Sequence, residues 1–275
     1  MTLSLSDLQQ PLIKLAQETG RAILEIYESS RYTITAKADH SPLTQADLLA
    51  HEILVNGLQQ LTPDFPVLSE EGANTPWEER SQWTHYWLID PLDGTRQFIS
   101  HEDEFTVNIA LVSGQKPVIG ILYIPVTQET YYACYAWGGA FKLSADGHTT
   151  AIKTRPWRKN ETIILASQTT HKDSIENTFA RLGQYKQVEM SSSWKFARIA
   201  EGSADIYPRL GNTSEWDTAA GQCILEQAGG ALTDLQGRSL SYNTKESLIN
   251  PHFVAFGDSA NLYSALFSGD VINAS

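Results

Sequence analysis

Residues 86–90 form an apolar, strand-like run that ends in Asp90, and the next residue is Pro91. Proline has no N–H to give to a sheet ladder, so the chain is expected to leave the strand here and turn. The residues that follow, Leu92-Asp93-Gly94-Thr95, place a second acid three positions after the first. On an unbroken strand, residues three apart face opposite sides. A turn after Pro91 instead brings Asp93 back beside Asp90. Two carboxylates held together repel, so the arrangement makes sense mainly with cations between them. Leu92 would then offer its carbonyl oxygen as a further ligand. Gly94 lets the backbone approach an anion, and the N–H groups of a following helix start form an anion site. An Asp-Gly turn between strand and helix is the competing reading, and it would suffice if this motif stood alone.

Other acids sit at comparable places. Ser69-Glu70-Glu71-Gly72 ends a strand-like segment, Trp216-Asp217-Thr218-Ala219-Ala220-Gly221 opens a helix, and Asp47 lies in the first turn of another. Each has a plain structural explanation: a solvated strand end for Glu70, an N-cap for Asp217, a capping-box acid for Asp47. Taken together, these explanations do not say why several element ends carry acids beside small or turn-forming residues.

The periodicity divides the chain near residue 150. Apolar residues at three- and four-residue steps predict a helix from Ser6 to about Glu28, and a polar stretch over 36–42 leads to a second. The second runs from Thr44 to about Leu61, with Thr44 and Asp47 as its capping box. Strands are then expected at Pro66–Ser69, Tyr86–Asp90, Phe105–Val112, Val118–Ile124 and Thr130–Tyr135, an α+β pattern. Trp77, Trp83 and the intervening charged residues read as a structured loop over this part. Downstream, strands at Ile163–Ser167, Gln187–Met190 and Asp205–Tyr207 alternate with helices at Asp173–Leu182, Ser193–Glu201, Glu215–Ala228 and Ser259–Phe267, an α/β pattern. The expectation is two domains, 1–150 with most of the candidate acids and 151–275 with Asp217, and a cleft between them.

Composition removes several function classes. The formal charge of −12, from 20 Lys+Arg against 32 Asp+Glu, argues against binding nucleic-acid polymers or anionic membranes through a basic surface. With 41% hydrophobic residues there is material for a sizeable core. Cys134 and Cys223 have no Cys-x-x-Cys or zinc spacing, the N-terminus lacks a basic region and apolar run of signal type, and no stretch is long enough to span a membrane. A cytoplasmic protein is the resulting expectation. His51-Glu52 and His101-Glu102 lack the second histidine of a zinc site, and P-loop, Gly-x-Gly-x-x-Gly and Gly-x-Ser-x-Gly motifs are absent.

Asp90-Pro-Leu-Asp-Gly-Thr95, with Glu70-Glu71 before it and Trp216-Asp217 far downstream, resembles the inositol monophosphatase superfamily of magnesium-dependent, lithium-sensitive phosphatases. Lys37-x-Asp39-x-Ser41-Pro42-Leu43-Thr44-x-Ala46-Asp47, Glu104-Phe105-Thr106-Val107-Asn108-Ile109-Ala110, and Ala200-Glu201-Gly202 leading to Tyr207-Pro208-Arg209 are similar to its CysQ-type 3'(2'),5'-bisphosphate nucleotidase branch. The resemblance spans about residue 10 to residue 255. It implies a layered αβαβα sandwich and two or three Mg²⁺ ions between the domains. One ion would be held by Glu70, Asp90 and the Leu92 carbonyl, a second by Asp90, Asp93 and Asp217. It further implies an Asp47–Thr95 relay beside Glu70 that handles the attacking water, in place of a plain N-cap at Thr95. Gly94 and Thr95 amides would meet the phosphate being cleaved.

Ser192 is a candidate substrate contact, and Lys195 and Arg209 are the candidate contacts to a second phosphate, with pairing to surface carboxylates as the alternative for the two cations. Ser191-Ser192-Ser193-Trp194-Lys195 replaces a segment usually reading Gly-Ser-Ser-Leu-Lys, and Ser167-Gln168-Thr169-Thr170-His171 replaces a shorter Ser-Arg-Ser-His. The implied reaction is hydrolysis of adenosine 3',5'-bisphosphate to AMP and phosphate, which clears a by-product of sulfate assimilation. An inositol-monophosphate or sugar-phosphate phosphatase is the alternative on the same fold, and an inactive nucleotide-binding regulator is the alternative of another class. The same resemblance leaves room for a homodimer and for peripheral contact with the inner membrane.

Overall fold

The computed structural model describes residues 4–29, 33–36, 42–167 and 179–267. A 3-10 turn at Leu5–Leu8 runs into helix α1 (Gln9–Ser29); a short ladder of β1 (Ile34–Ala36) and β2 (Pro42–Thr44) leads to helix α2 (Gln45–Leu61). Strand β3 (Val67–Ser69), the single turn α3 (Trp77–Arg80), strand β4 (His85–Asp93) and the short helix α4 (Thr95–Ile99) follow. Next come β5 (Thr106–Ser113), β6 (Lys116–Ile124), β7 (Glu129–Cys134), β8 (Gly139–Leu143) and β9 (Thr149–Ala151). The remaining elements are β10 (Thr162–Ala166), β11 (Tyr185–Glu189), α5 (Trp194–Ala200), β12 (Ile206–Arg209), α6 (Ala219–Gln227), β13 (Ala231–Asp234), β14 (Phe253–Phe256) and α7 (Ser259–Phe267).

Two sheets organise these elements. The larger has seven strands in sequence order, β3 to β9, with β3 parallel to β4 and every later neighbour antiparallel. The smaller runs β11-β10-β12-β14-β13. Alternate residues of β4 divide between two cores. Trp87 and Ile89 pack with Leu12, Ile23, Leu54 and Leu58 of α1 and α2, whereas Tyr86 and Leu88 pack with Phe196 of α5 and Ile224 of α6. The far side of α5 and α6 meets Leu165, Tyr207 and Phe253 of the smaller sheet. That sheet's other face, Ile164, Val254 and Phe256, is covered by Leu262 and Leu266 of α7. The layers are therefore α, β, α, β, α. Gly120 permits the close approach of α6 to β6, since a Cβ there would lie 2.4 Å from the Ala220 carbonyl oxygen.

Several expectations need correction. Strand β4 does not stop at Asp90; it continues past Pro91 to Asp93. The residues 215–228 are not one helix: a 3-10 turn at Glu215–Asp217 is separated from α6 by Thr218. Trp77 to Arg80 form a helical turn rather than a loop, and Arg80 is buried. The expected helix at Asp173–Leu182 falls largely outside the described residues, of which only a 3-10 turn at Ala180–Leu182 is seen. Residues 37–41 of the Lys37-to-Asp47 motif and 168–171 likewise lie outside them. No helix among the described residues is long and apolar enough to cross a membrane.

Candidate active site

Pro91 is accommodated by a bulge. Asp90 pairs with Asn108 and Asp93 with Thr106, so three steps on β4 answer two on β5. A bulge of one residue leaves Pro91's missing donor without consequence and re-aims the chain beyond it. It also reverses the facing of Asp93, which reaches Asn108, the cross-strand neighbour of Asp90. The two acids therefore come to one side, as expected, by a bulge and not by strand termination. Gly94 then takes φ +102°, and a Cβ there would lie 2.9 Å from the Glu104 carbonyl oxygen, so only glycine fits before α4.

Glu70, in the 3-10 turn after β3, joins Asp90 and Asp217 in a cluster whose carboxylate oxygens lie within 4.8 Å of one another. Asp90 is almost fully buried, and Glu70 and Asp217 are half-buried. Burial pushes the Asp217 carboxyl well above the usual carboxylate range, and the charges of Asp93 and Glu70 push it further. The Ser214 N–H and a hydrogen bond with Asp90 oppose that shift. An all-oxygen set of this kind suits a hard divalent cation, which would offset the mutual repulsion.

Donors close in sequence hold three of these acids. Leu92 N–H donates to Asp90 Oδ1 at 3.1 Å, and Ser214 N–H donates to Asp217 Oδ2 at 2.8 Å. Thr44 donates twice to Asp47 Oδ2, from its N–H at 2.7 Å and its hydroxyl at 2.6 Å. Asp47 is thus the capping-box acid of α2, as its spacing suggested, yet its other oxygen, Oδ1, accepts the Thr95 hydroxyl at 2.9 Å. Both readings of this residue hold at once. Asp93 is held differently: Oδ2 accepts from the Ser193 N–H at 2.6 Å, lies 2.5 Å from the Ser193 hydroxyl, and accepts from Asn108 Nδ2 at 3.3 Å. Ser193 and Asn108 were not among the sequence candidates. Their only signals were the triple serine at 191–193 and the presence of Asn108 inside the Glu104–Ala110 motif.

Beside the acids lies a cavity of about 400 Å³ reached by Asp93, Arg96, Ser192, Lys195, Arg209 and Asp217. Ser192 takes φ +52°, in the left-handed region uncommon for a side chain with a Cβ. Lys195 is buried; its ammonium donates to the Ser192 carbonyl at 2.7 Å and the Met190 carbonyl at 3.2 Å and lies over the Tyr207 ring. Burial pushes its pKa down to about 8, the Arg209 charge acts in the same direction, and Asp93, Glu104 and Asp217 oppose it. Arg209 donates to the Ser167 hydroxyl and the Asn212 carbonyl, and its Nε is buried without a partner among the described residues. Neither cation pairs with a surface carboxylate. Arg96 is exposed, and its side chain has no hydrogen-bond or ion-pair partner among the described residues. The Leu92 side chain is in the core, while its carbonyl accepts the Thr95 hydroxyl at 3.3 Å.

Residues 4–263 match the model of the inositol monophosphatase family. The chain is 44% identical over 245 residues to the 3'(2'),5'-bisphosphate nucleotidase CysQ of Salmonella typhimurium strain LT2, covering 89% of this chain and 97% of that one. It is 43% identical over 242 residues to the CysQ of Escherichia coli strain K12, covering 87% and 96%. Among solved structures, CysQ from Bacteroides thetaiotaomicron, described as a bacterial member of the inositol monophosphatase family, superposes with a TM-score of 0.77 at 36% identity, covering 93% of this chain and 99% of that one. A staphylococcal inositol monophosphatase-1 superposes with a TM-score of 0.79 at 19% identity, covering 98% of each, a likeness of fold.

Proposed function

The chain belongs to the inositol monophosphatase family, and from that premise we propose that it is a magnesium-dependent 3'(2'),5'-bisphosphate nucleotidase that hydrolyses adenosine 3',5'-bisphosphate to AMP and phosphate. The observation that carries the reading is the conjunction of the Glu70–Asp90–Asp217 cluster, whose Asp217 lines the cavity, with the Asp47–Thr95 hydrogen bond. The identity to relatives named for this activity supports the substrate class. Two or three Mg²⁺ ions would be held by Glu70, Asp90, Asp93, Asp217 and the Leu92 carbonyl, and supply charge neutralisation and polarisation of the phosphoryl group.

The chain's own residues do the rest. Thr95 gives its proton to Asp47 Oδ1, so the lone pairs of its oxygen are left to accept a hydrogen bond from a water beside Glu70. That water attacks phosphorus directly as the bond from phosphorus to the ribose 3'-oxygen breaks; Asp47 takes up the water's proton through Thr95, and the departing 3'-oxygen takes a proton from solvent water. The N–H groups of Gly94 and Thr95 meet the transferring phosphoryl oxygens. Ser192, Lys195 and Arg209 shape the cavity for the remaining nucleotide, and Lys195 acts by fixing the Ser192 carbonyl more than by reaching outward. Arg96, whose guanidinium is unengaged, is the cation best placed to receive the second phosphate. Action in the cytoplasm, in recycling the by-product of sulfate assimilation, belongs to the same proposal.

A substrate panel with Mg²⁺, with and without Li⁺, tests it. Adenosine 3',5'-bisphosphate should be turned over in preference to inositol 1-phosphate, with inhibition by Li⁺; preference for inositol 1-phosphate overturns the substrate reading. Inversion at a chiral phosphorus is expected for direct attack, and retention would overturn that step.

A further inference from the structure

We propose that Ser193 is a positioning residue that sets the orientation of Asp93 from the other half of the chain; this rests on the reading of Asp93 and Asp217 as metal ligands. Asp47, Asp90 and Asp217 are each held by a donor within three residues, supplied by their own turn. Among the described residues Asp93 has no such local donor; it is held by Ser193, a hundred positions downstream, with Asn108 Nδ2 as a second donor at 3.3 Å. Ser193 is 2% exposed, and its hydroxyl lies 2.5 Å from Asp93 Oδ2 and 2.7 Å from the Asp217 carbonyl oxygen. One hydroxyl therefore touches a candidate ligand from β4 and the backbone of another from the turn before α6.

The direction of this contact is also fixed. Thr106 donates to Asn108 Oδ1 at 2.8 Å, which orients the amide so that Nδ2 donates to the Ser193 hydroxyl oxygen at 2.9 Å. With that acceptor position filled, the serine proton points to Asp93 or to the Asp217 carbonyl. Asp93 Oδ2 is thereby taken up by protein donors, which leaves Oδ1 as the oxygen a metal ion would use. Groups that orient ligands in this manner change metal affinity by about 10- to 100-fold when removed, because the ligand must then be ordered by the metal itself.

The test is calorimetric titration of Mg²⁺ into metal-free protein without substrate, for wild type, Ser193→Ala and Ser193→Thr. Ser193→Ala should bind Mg²⁺ about tenfold more weakly, with its melting temperature in EDTA close to wild type. Ser193→Thr, which restores the hydroxyl, should recover the affinity. In turnover, the half-saturating Mg²⁺ concentration should rise by a similar factor while KM at saturating Mg²⁺ stays put. Wild-type Mg²⁺ affinity in Ser193→Ala, or a shift in KM alone, overturns the assignment. Should that variant not fold, Asn108→Ala removes the donor that orients the serine and should weaken Mg²⁺ binding in the same direction; unchanged binding there overturns it equally. A wild type that binds no Mg²⁺ overturns the metal reading, and this inference with it.

Discussion

Asp47→Asn separates the two roles that the structure gives this residue. Asp47 is fully buried; Oδ2 accepts from the Thr44 N–H and hydroxyl, and Oδ1 accepts from Thr95 at 2.9 Å. An asparagine of the same shape can keep its carbonyl toward Thr44, so the cap of α2 survives and stability should change by less than about 1 kcal/mol. Its NH₂ then faces Thr95 and must donate where the carboxylate accepted. The Thr95 proton is left with the Leu92 carbonyl, at 3.3 Å, as its other acceptor. The relay has then lost its terminal base, and removal of a general base lowers rates by about 10²- to 10⁴-fold. The lower figure corresponds to about 2.7 kcal/mol in the barrier. Phosphate release at saturating Mg²⁺ and substrate, read beside a thermal melt, is the assay. Thr44→Ala is the converse: it should cost about 1 kcal/mol of stability through the lost cap while kcat holds. If Asp47→Asn retains kcat within about threefold, Asp47 is a cap and nothing more, and the relay is refuted.

Gly94→Ala combines φ +102° with a Cβ 2.9 Å from the Glu104 carbonyl oxygen, and should cost about 2–4 kcal/mol in denaturant unfolding; a loss below about 0.5 kcal/mol would show that the turn relaxes freely. Arg96→Ala removes an exposed, unpaired guanidinium, so stability should be unaffected while KM for adenosine 3',5'-bisphosphate rises about tenfold. KM for a nucleoside monophosphate should not follow; an equal rise for both refutes recognition of the second phosphate. Lys195 has its pKa pushed down to about 8 from 10.5. Between those values the unfolded chain binds the proton and the folded one does not, so stability gains with rising pH. Relative to Lys195→Met, wild type should gain up to about 3 kcal/mol from pH 8 to 10.5 in paired denaturant titrations, and a flat difference refutes the shift.

What the sequence reveals of the fold depends on how each element is buried. Helix α1 shows its apolar face plainly because one face packs on the large sheet, and its neighbour α2 shows Thr44 and Asp47 at its start because a capping box is local chemistry. The central strands β5 and β6 are covered on both faces and read as continuous apolar runs, which is enough to locate them. Strand β9 has all three residues exposed and carries no apolar signal, so nothing in its sequence marks it as a strand paired with β8. The break at Thr218 is hidden because apolar residues continue across it at helical spacing; the turn ends at Thr218, whose φ of −118° departs from the helix.

The same distinction between local and distant determinants runs through the candidate site. Asp90 to Leu92, Asp217 to Ser214 and Asp47 to Thr44 are contacts over two or three residues, and short motifs preserve such contacts in plain view. That is why Asp47, Asp90 and Asp217 are legible in the sequence. The expected turn at Pro91 had the right consequence by the wrong geometry, because a bulge and a strand end both reverse the facing of Asp93. Ser193 escaped because a hydroxyl that acts across a hundred residues leaves no spacing to read, and because its neighbour Ser192, which lines the cavity, drew the substrate role. Ligand identity at this site is thus written locally, whereas ligand orientation at Asp93 depends on α5 docking against β4. A substitution that loosens that docking should therefore weaken metal binding before it unfolds the protein.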